Sequence, residues 1–81
     1  MVNVHLWSGL RRFVDGELVV PVEAATVGEM LDALVTAHPA LAPVIAAGVS
    51  IAVDGEVIAD SRHTALDPGA EVYLMQRLRG G

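Results

Sequence analysis

Val2, Val4 and Leu6 alternate with Asn3, His5 and Trp7, a period of two that predicts a half-buried first strand. Asp15-Gly16 is a turn dipeptide, and the β-branched run from Glu17 to Val22 predicts a hairpin partner for that strand across a short connection. Pro21 has no N–H to give to a ladder, so one side of this run should lack a neighbour. Thr26-Val27-Gly28-Glu29 has the spacing of a capping box, in which hydroxyl and carboxylate satisfy the free amides of a helix start. Val27, Met30, Leu31, Leu34 and Val35 then share one face until His38-Pro39 stops the helix. Ala40 to Gly48 reads as an alanine- and proline-containing connector. Val49, Ile51 and Val53 resume the period of two before Asp54-Gly55, a strong hairpin signal, with Val57-Ile58 as the short return. Asp67-Pro68-Gly69 turns the chain again, and Val72 and Leu74 alternate with Tyr73 and Met75 in a last strand. The order is an α+β plan, with one main helix to cover one mixed sheet of four to five strands.

A chain of 81 residues buries only about 60% of the surface it exposes when unfolded, so a deep enclosed active site is not expected. Hydrophobic residues make up 53% and aromatics 4%, more apolar side chain than so small a core hides. Part of the excess should face a partner. The net charge of -5 leaves no basic stripe to neutralise phosphates, which argues against nucleic acid as a partner. The apolar run around Ile45 to Val49 falls far short of the roughly 20 residues of a membrane span, so no membrane partner is expected. Met1-Val2-Asn3-Val4-His5 lacks the basic region of a secretory signal, and cytoplasmic residence is the expectation.

With no cysteine the chain has no disulfide, no thiolate ligand and no thiol nucleophile, and an iron–sulfur cluster of the cysteine-bound kind is excluded. Lysine is also absent; Arg11, Arg12, Arg62, Arg77 and Arg79 are the basic residues, so no side-chain amine can be acylated. His5, His38 and His63 have no paired ligand spacing, and no metal site is expected. Asp60, Ser61 and His63 have the residue types of a hydrolytic triad, but neighbours on one short loop seldom reach its geometry. Gly28 lacks the surrounding spacing of a phosphate loop, and the helix reads more simply as a packing element.

Element order and local sequence together resemble the ubiquitin-like sulfur carriers of the MoaD/ThiS family over essentially the whole chain. "VNVHLWSGLRR" is similar to the family's first strand and the arginine-bearing turn after it, and "ATVGEMLDALVTAHP" to its helix. "VSIAVDGEVI" resembles the central hairpin, "LDPGAEVYLM" the turn and strand written L-x-x-G-D-E-V, and Gly80-Gly81 the ending on which family members depend. Ala70 stands where the family often has an acid, and "QRLR" where molybdopterin-synthase small subunits have a proline-containing segment. "RLRGG" is also similar to the end of ubiquitin. The resemblance implies a ubiquitin-like β-grasp domain over residues 1–76, a flexible diglycine tail over 77–81, and a protein that is not an enzyme but the co-substrate of one.

For that family the chemistry is at the C-terminal carboxylate, which is ionised at neutral pH and a poor acyl donor until activated. The resemblance implies that Gly81 is adenylated by a ubiquitin-activating-type adenylyltransferase that uses ATP, then converted to a thiocarboxylate by a sulfur-donor enzyme. A sulfur-accepting synthase would consume it in making molybdopterin, a thiamin-like cofactor or another metabolite. No cofactor would be bound by the carrier itself. Gly80 suits threading into a narrow channel because glycine has no Cβ, and two terminal glycines arise by chance only about 0.5% of the time. A processed precursor would leave the same end.

Arg77 and Arg79 alternate with Leu78, so in an extended tail both guanidiniums face one side of a groove and either pair with acids there or stay solvated. Trp7 belongs either to the open face of the sheet, against a partner, or to a satellite of the core. Met75 is a candidate for the same patch, and Arg11 matches the family's arginine in its turn. Two other readings use the same residues: a ubiquitin-like modifier conjugated through Gly81, and a non-covalent interaction module with an inert tail.

Overall fold

The computed structural model describes residues 1–58 and 62–76. Five strands, β1 (Val2–His5), β2 (Val19–Val22), β3 (Val49–Val53), β4 (Glu56–Ile58) and β5 (Glu71–Gln76), form one sheet in the order β2-β1-β5-β3-β4. β5 lies at the centre, parallel to β1 and antiparallel to β3, and the helix α1 (Val27–Ala37) packs across one face. This is the ubiquitin-like β-grasp. Alternation does the sorting: Val2, Val4, Val20, Val22, Ile51, Val72 and Leu74 turn inward and meet Val27, Met30, Leu31 and Leu34.

The turns follow their residue chemistry. Asp54 (φ 50°) and Gly55 (φ 87°) both take the left-handed conformation of a two-residue hairpin loop. Asp54 also clasps the start of β5: its N–H donates to the Glu71 carbonyl at 2.8 Å and its Oδ1 accepts from the Glu71 N–H at 3.0 Å. Leu6 N–H donates to the Leu18 carbonyl at 2.8 Å, so in the β1–β2 ladder Val19 and Pro21 point their backbone nitrogens outward. Pro21 thus sits on an edge strand where no donor is needed.

Three expectations are corrected. The first strand stops at His5, because Trp7 already N-caps a 3-10 helix (Ser8–Phe13), so β1 and β2 pair without forming a tight hairpin. The Asp15-Gly16 turn closes that longer connection, and β2 starts at Val19 rather than Glu17. The stretch from Ala40 to Gly48 is not a bare connector: a 3-10 turn (Pro39–Leu41) leads into α2 (Ala42–Ala47). Pro43 in its first turn and the alanines favour helix, while Leu41 is buried and Gly48 (φ 106°) ends the element.

The start of α1 is closed by chain rather than open to a ligand. Thr26 Oγ1 accepts from Glu29 N–H at 3.2 Å, and Glu29 Oε1 accepts from Ala25 N–H at 2.9 Å, one residue before the cap. Val27 and Gly28 donate to the carbonyls of Thr64 and Arg62, both at 2.9 Å. Arg62 then reaches back to the Gly28 carbonyl and to Asp32 Oδ1. The approach depends on the missing side chain: a Cβ on Gly28 would lie 3.0 Å from both the carbonyl oxygen and the Cβ of Arg62. Gly28→Ala should therefore destabilise the fold by about 1 kcal/mol, overpacking outweighing the helix-propensity gain of alanine in this first turn. Urea denaturation checks it; an alanine variant as stable as wild type would contradict the close packing.

Candidate functional site

The residues that alternate with the core build the open face of the sheet. Strand registers set Val19 of β2, His5 of β1, Tyr73 of β5, Ala52 of β3 and Val57 of β4 in one row across all five strands. Val19, Tyr73 and Val57 are 48%, 45% and 67% exposed, and they are the site's apolar surplus. A second row runs Pro21, Asn3, Glu71, and a third pairs Ser50 with Met75. Met75 is thus on the open face and half-buried, as its place in the last strand requires.

A polar cluster lies next to this apolar row. Glu71 Oε2 accepts from Asn3 Nδ2 at 2.8 Å, and Glu71 Oε1 lies 2.7 Å from His5 Nε2, which donates to it. The His5 ring stacks on Tyr73, with centroids 4.3 Å apart and planes 12° from parallel. The hydrogen bond from Asn3, then that from His5, holds the Glu71 carboxyl below its ordinary pKa.

Because β1 and β5 are parallel, both finish at the same end of the sheet, and the chain leaves β5 there. The 3-10 helix after β1 places Arg11 and Arg12 at that end, both exposed. The Arg11 carbonyl accepts from Val14 and Gly16 N–H groups, which fixes its backbone, and the Arg12 guanidinium lies 5.2 Å from the Phe13 ring centroid. Trp7 takes the satellite position, half-buried against the core beyond the end of β1 and beside Gly9. The tail positions Arg77, Leu78, Arg79, Gly80 and Gly81 fall outside the described residues, as do Asp60 and Ser61. Among the described residues no three metal-ligating side chains come together and no polar side chain is buried. A shallow recess lined by Met1, Glu23, Glu29, Leu66 and Pro68 lies at the opposite end of the sheet and offers two carboxylates but no nucleophile. No helix is long and apolar enough to cross a membrane.

The ThiS family model matches residues 4–81, which takes in the sheet, the helix and the terminal glycines. The chain belongs to the ThiS family. In structure this ThiS-family chain is similar to SAMP1 from Haloferax volcanii, with 32% identity, 99% of this chain and 98% of that one covered, and a TM-score of 0.79. It shares its fold with the BexX/CysO complex of Amycolatopsis orientalis (22% identity, 100% of both chains, TM-score 0.81). The same holds for the complex of subunits 1 and 2 of the Helicobacter pylori molybdopterin-converting factor (22% identity, 99% and 97% covered, TM-score 0.70). No curated protein matches the chain in sequence. As a member of the family it is a ubiquitin-like sulfur carrier of MoaD/ThiS type.

The transverse row and the Glu71 cluster were missed in the sequence. Period two marks His5 and Tyr73 as outward, but no local pattern gives the register of β5 on β1 that sets Glu71 opposite Asn3 and Tyr73 opposite His5. Glu71 titrates below the ordinary carboxylate value of 4.5 in the fold and at that value when unfolded, so its contribution is full above 4.5 and lost as the pH falls through the lowered value. Glu71→Gln should therefore melt below wild type at neutral pH, with the gap closing as the pH drops beneath 4.5. Parallel thermal melts check this, and a gap that does not change with pH would refute it.

Proposed function

We propose that this ThiS-family chain carries sulfur on Gly81 as a thiocarboxylate. The observation that carries the reading is the family match running through the fold to Gly81, on a chain whose last strand is central and finishes at the same end of the sheet as the turn with Arg11 and Arg12. Five residues beyond Gln76 span at most about 17 Å, enough to enter a channel in a docked enzyme.

In the proposed sequence a carboxylate oxygen of Gly81 attacks the α-phosphate of ATP on an adenylyltransferase, and pyrophosphate leaves. The sulfur of a donor-enzyme persulfide then attacks the carbonyl and AMP departs. A second thiol on the donor side cleaves the S–S bond, taking the donor sulfur into a disulfide and leaving the thiocarboxylate. The synthase that accepts the sulfur, for molybdopterin, a thiamin-like cofactor or another metabolite, regenerates the carboxylate. Gly80 and Gly81 fit the channel, Arg77 and Arg79 meet acids along it with Leu78 opposite, and Met75 joins the docked face. The setting is the cytoplasm. The solved complexes of its structural neighbours with partner proteins support a docked mode of action.

A second reading is favoured by one finding: SAMP1, the neighbour at 32% identity, is named a small archaeal modifier protein, so conjugation through Gly81 is the alternative. Incubation with the adenylyltransferase, ATP and a sulfur donor should raise the intact mass by the difference between sulfur and oxygen, confined to the C-terminal peptide. Deleting Gly81 should abolish the gain without moving the melting temperature. A truncated protein that still supports sulfur transfer would sink the reading, and a protein-conjugate ladder lost on the same deletion would favour the modifier.

A further inference from the structure

We infer that the open face docks a partner surface that presents an arginine to the Glu71 carboxylate. The inference rests on the carrier reading, and it names the chemistry of the partner on the face that reading uses.

A cross-strand hydrogen bond alone would leave Glu71 as an ordinary sheet residue; its surroundings make it more. Each carboxylate oxygen holds one donor, Asn3 Nδ2 on Oε2 and His5 Nε2 on Oε1, so each keeps a lone pair and the plane of the group is fixed. His5 is itself held against Tyr73. The side chain of Glu71 is 43% exposed and within reach of a partner, and the adjacent row with Val19, Tyr73 and Val57 gives that partner apolar surface to cover. Covering an ionised carboxylate without supplying a new donor is unfavourable, because water leaves and nothing replaces it.

The surrounding charge has one sign. Asp54 bonds the Glu71 N–H, Glu56 follows in the same turn, and Asp67 stands in the turn before β5. Arg11 and Arg12 lie at the other end of β1, and Arg62 is tied to α1 and Asp32. Among the described residues only His5 is positioned to offset the carboxylate, through the bond already counted. An arginine fits better than a lysine: its planar fork meets two fixed, coplanar oxygens, and its flat face packs beside the His5–Tyr73 stack.

The test uses the full chain and the adenylyltransferase from the same source, without ATP, with wild type, E71Q and E71D. Dissociation constants are read at low and high salt, and melting curves on every variant. E71Q should weaken binding by at least about tenfold and flatten its salt dependence. E71D, which keeps the charge but disturbs the bonds to Asn3 and His5 that fix the carboxylate, should lose clearly less affinity than E71Q and keep the salt dependence of wild type. Binding of E71Q within about twofold of wild type, or equal losses for E71Q and E71D, would overturn the arginine assignment and leave Glu71 a purely structural pair. If wild type itself is neither bound nor adenylated, the carrier reading fails and takes this inference with it. Normal adenylation of a wild type that is indifferent to E71Q removes the inference alone.

Discussion

Everything in this fold depends on the parallel pairing of the first strand with the last. Parallel strands cannot be joined by a tight turn, so β1 and β5 require the rest of the chain as a crossover, and that crossover supplies the helix, the edge strands and the central hairpin. The pairing is long in sequence and expensive in loop entropy, and its contacts are correspondingly dense. Val4 and Val72 face each other with no exposure, Asn3 N–H reaches the Ala70 carbonyl at 3.0 Å, and the Asn3 and His5 side chains both bond Glu71.

This constraint also makes the molecule directional. Since β1 and β5 end together, the arginines after the first strand lie at the end of the sheet where β5 finishes, while the acidic turns at Asp54 and Asp67 lie at the far end. One face of β5 is spent on the core through Val72 and Leu74, and the other presents Glu71, Tyr73 and Met75. On the proposed carrier reading, this ThiS-family chain needs no interior site: the chemistry falls to Gly81, and the sheet serves as the platform for a partner.

The segment from 62 to 66 shows how local and distant sequence cooperate. The capping box at Thr26 was readable because its geometry spans only three residues. The carbonyls that satisfy Val27 and Gly28 come from Thr64 and Arg62, and no local pattern announces them. The fold uses Gly28 as the gap through which the segment at Arg62 makes contact.

The sequence by itself determined the alternation that separates core from open face, the helix and its cap, the Asp54-Gly55 hairpin, the turn at Pro68-Gly69 and the family resemblance ending in Gly80-Gly81. Each is written within a few residues, where backbone sterics and periodicity act directly. Helix α2 escaped that reading because its alanines and Pro43 suit a connector as well as a short helix, and the burial of Leu41 decides between them. Trp7 escaped it because strand one ends two residues before its periodicity does. The transverse row from Val19 to Val57 and the Asn3–Glu71–His5 cluster were decided only by tertiary structure. They join residues from separate strands, and which strands become neighbours is set by closing the sheet around one helix, a constraint that acts on the whole chain at once.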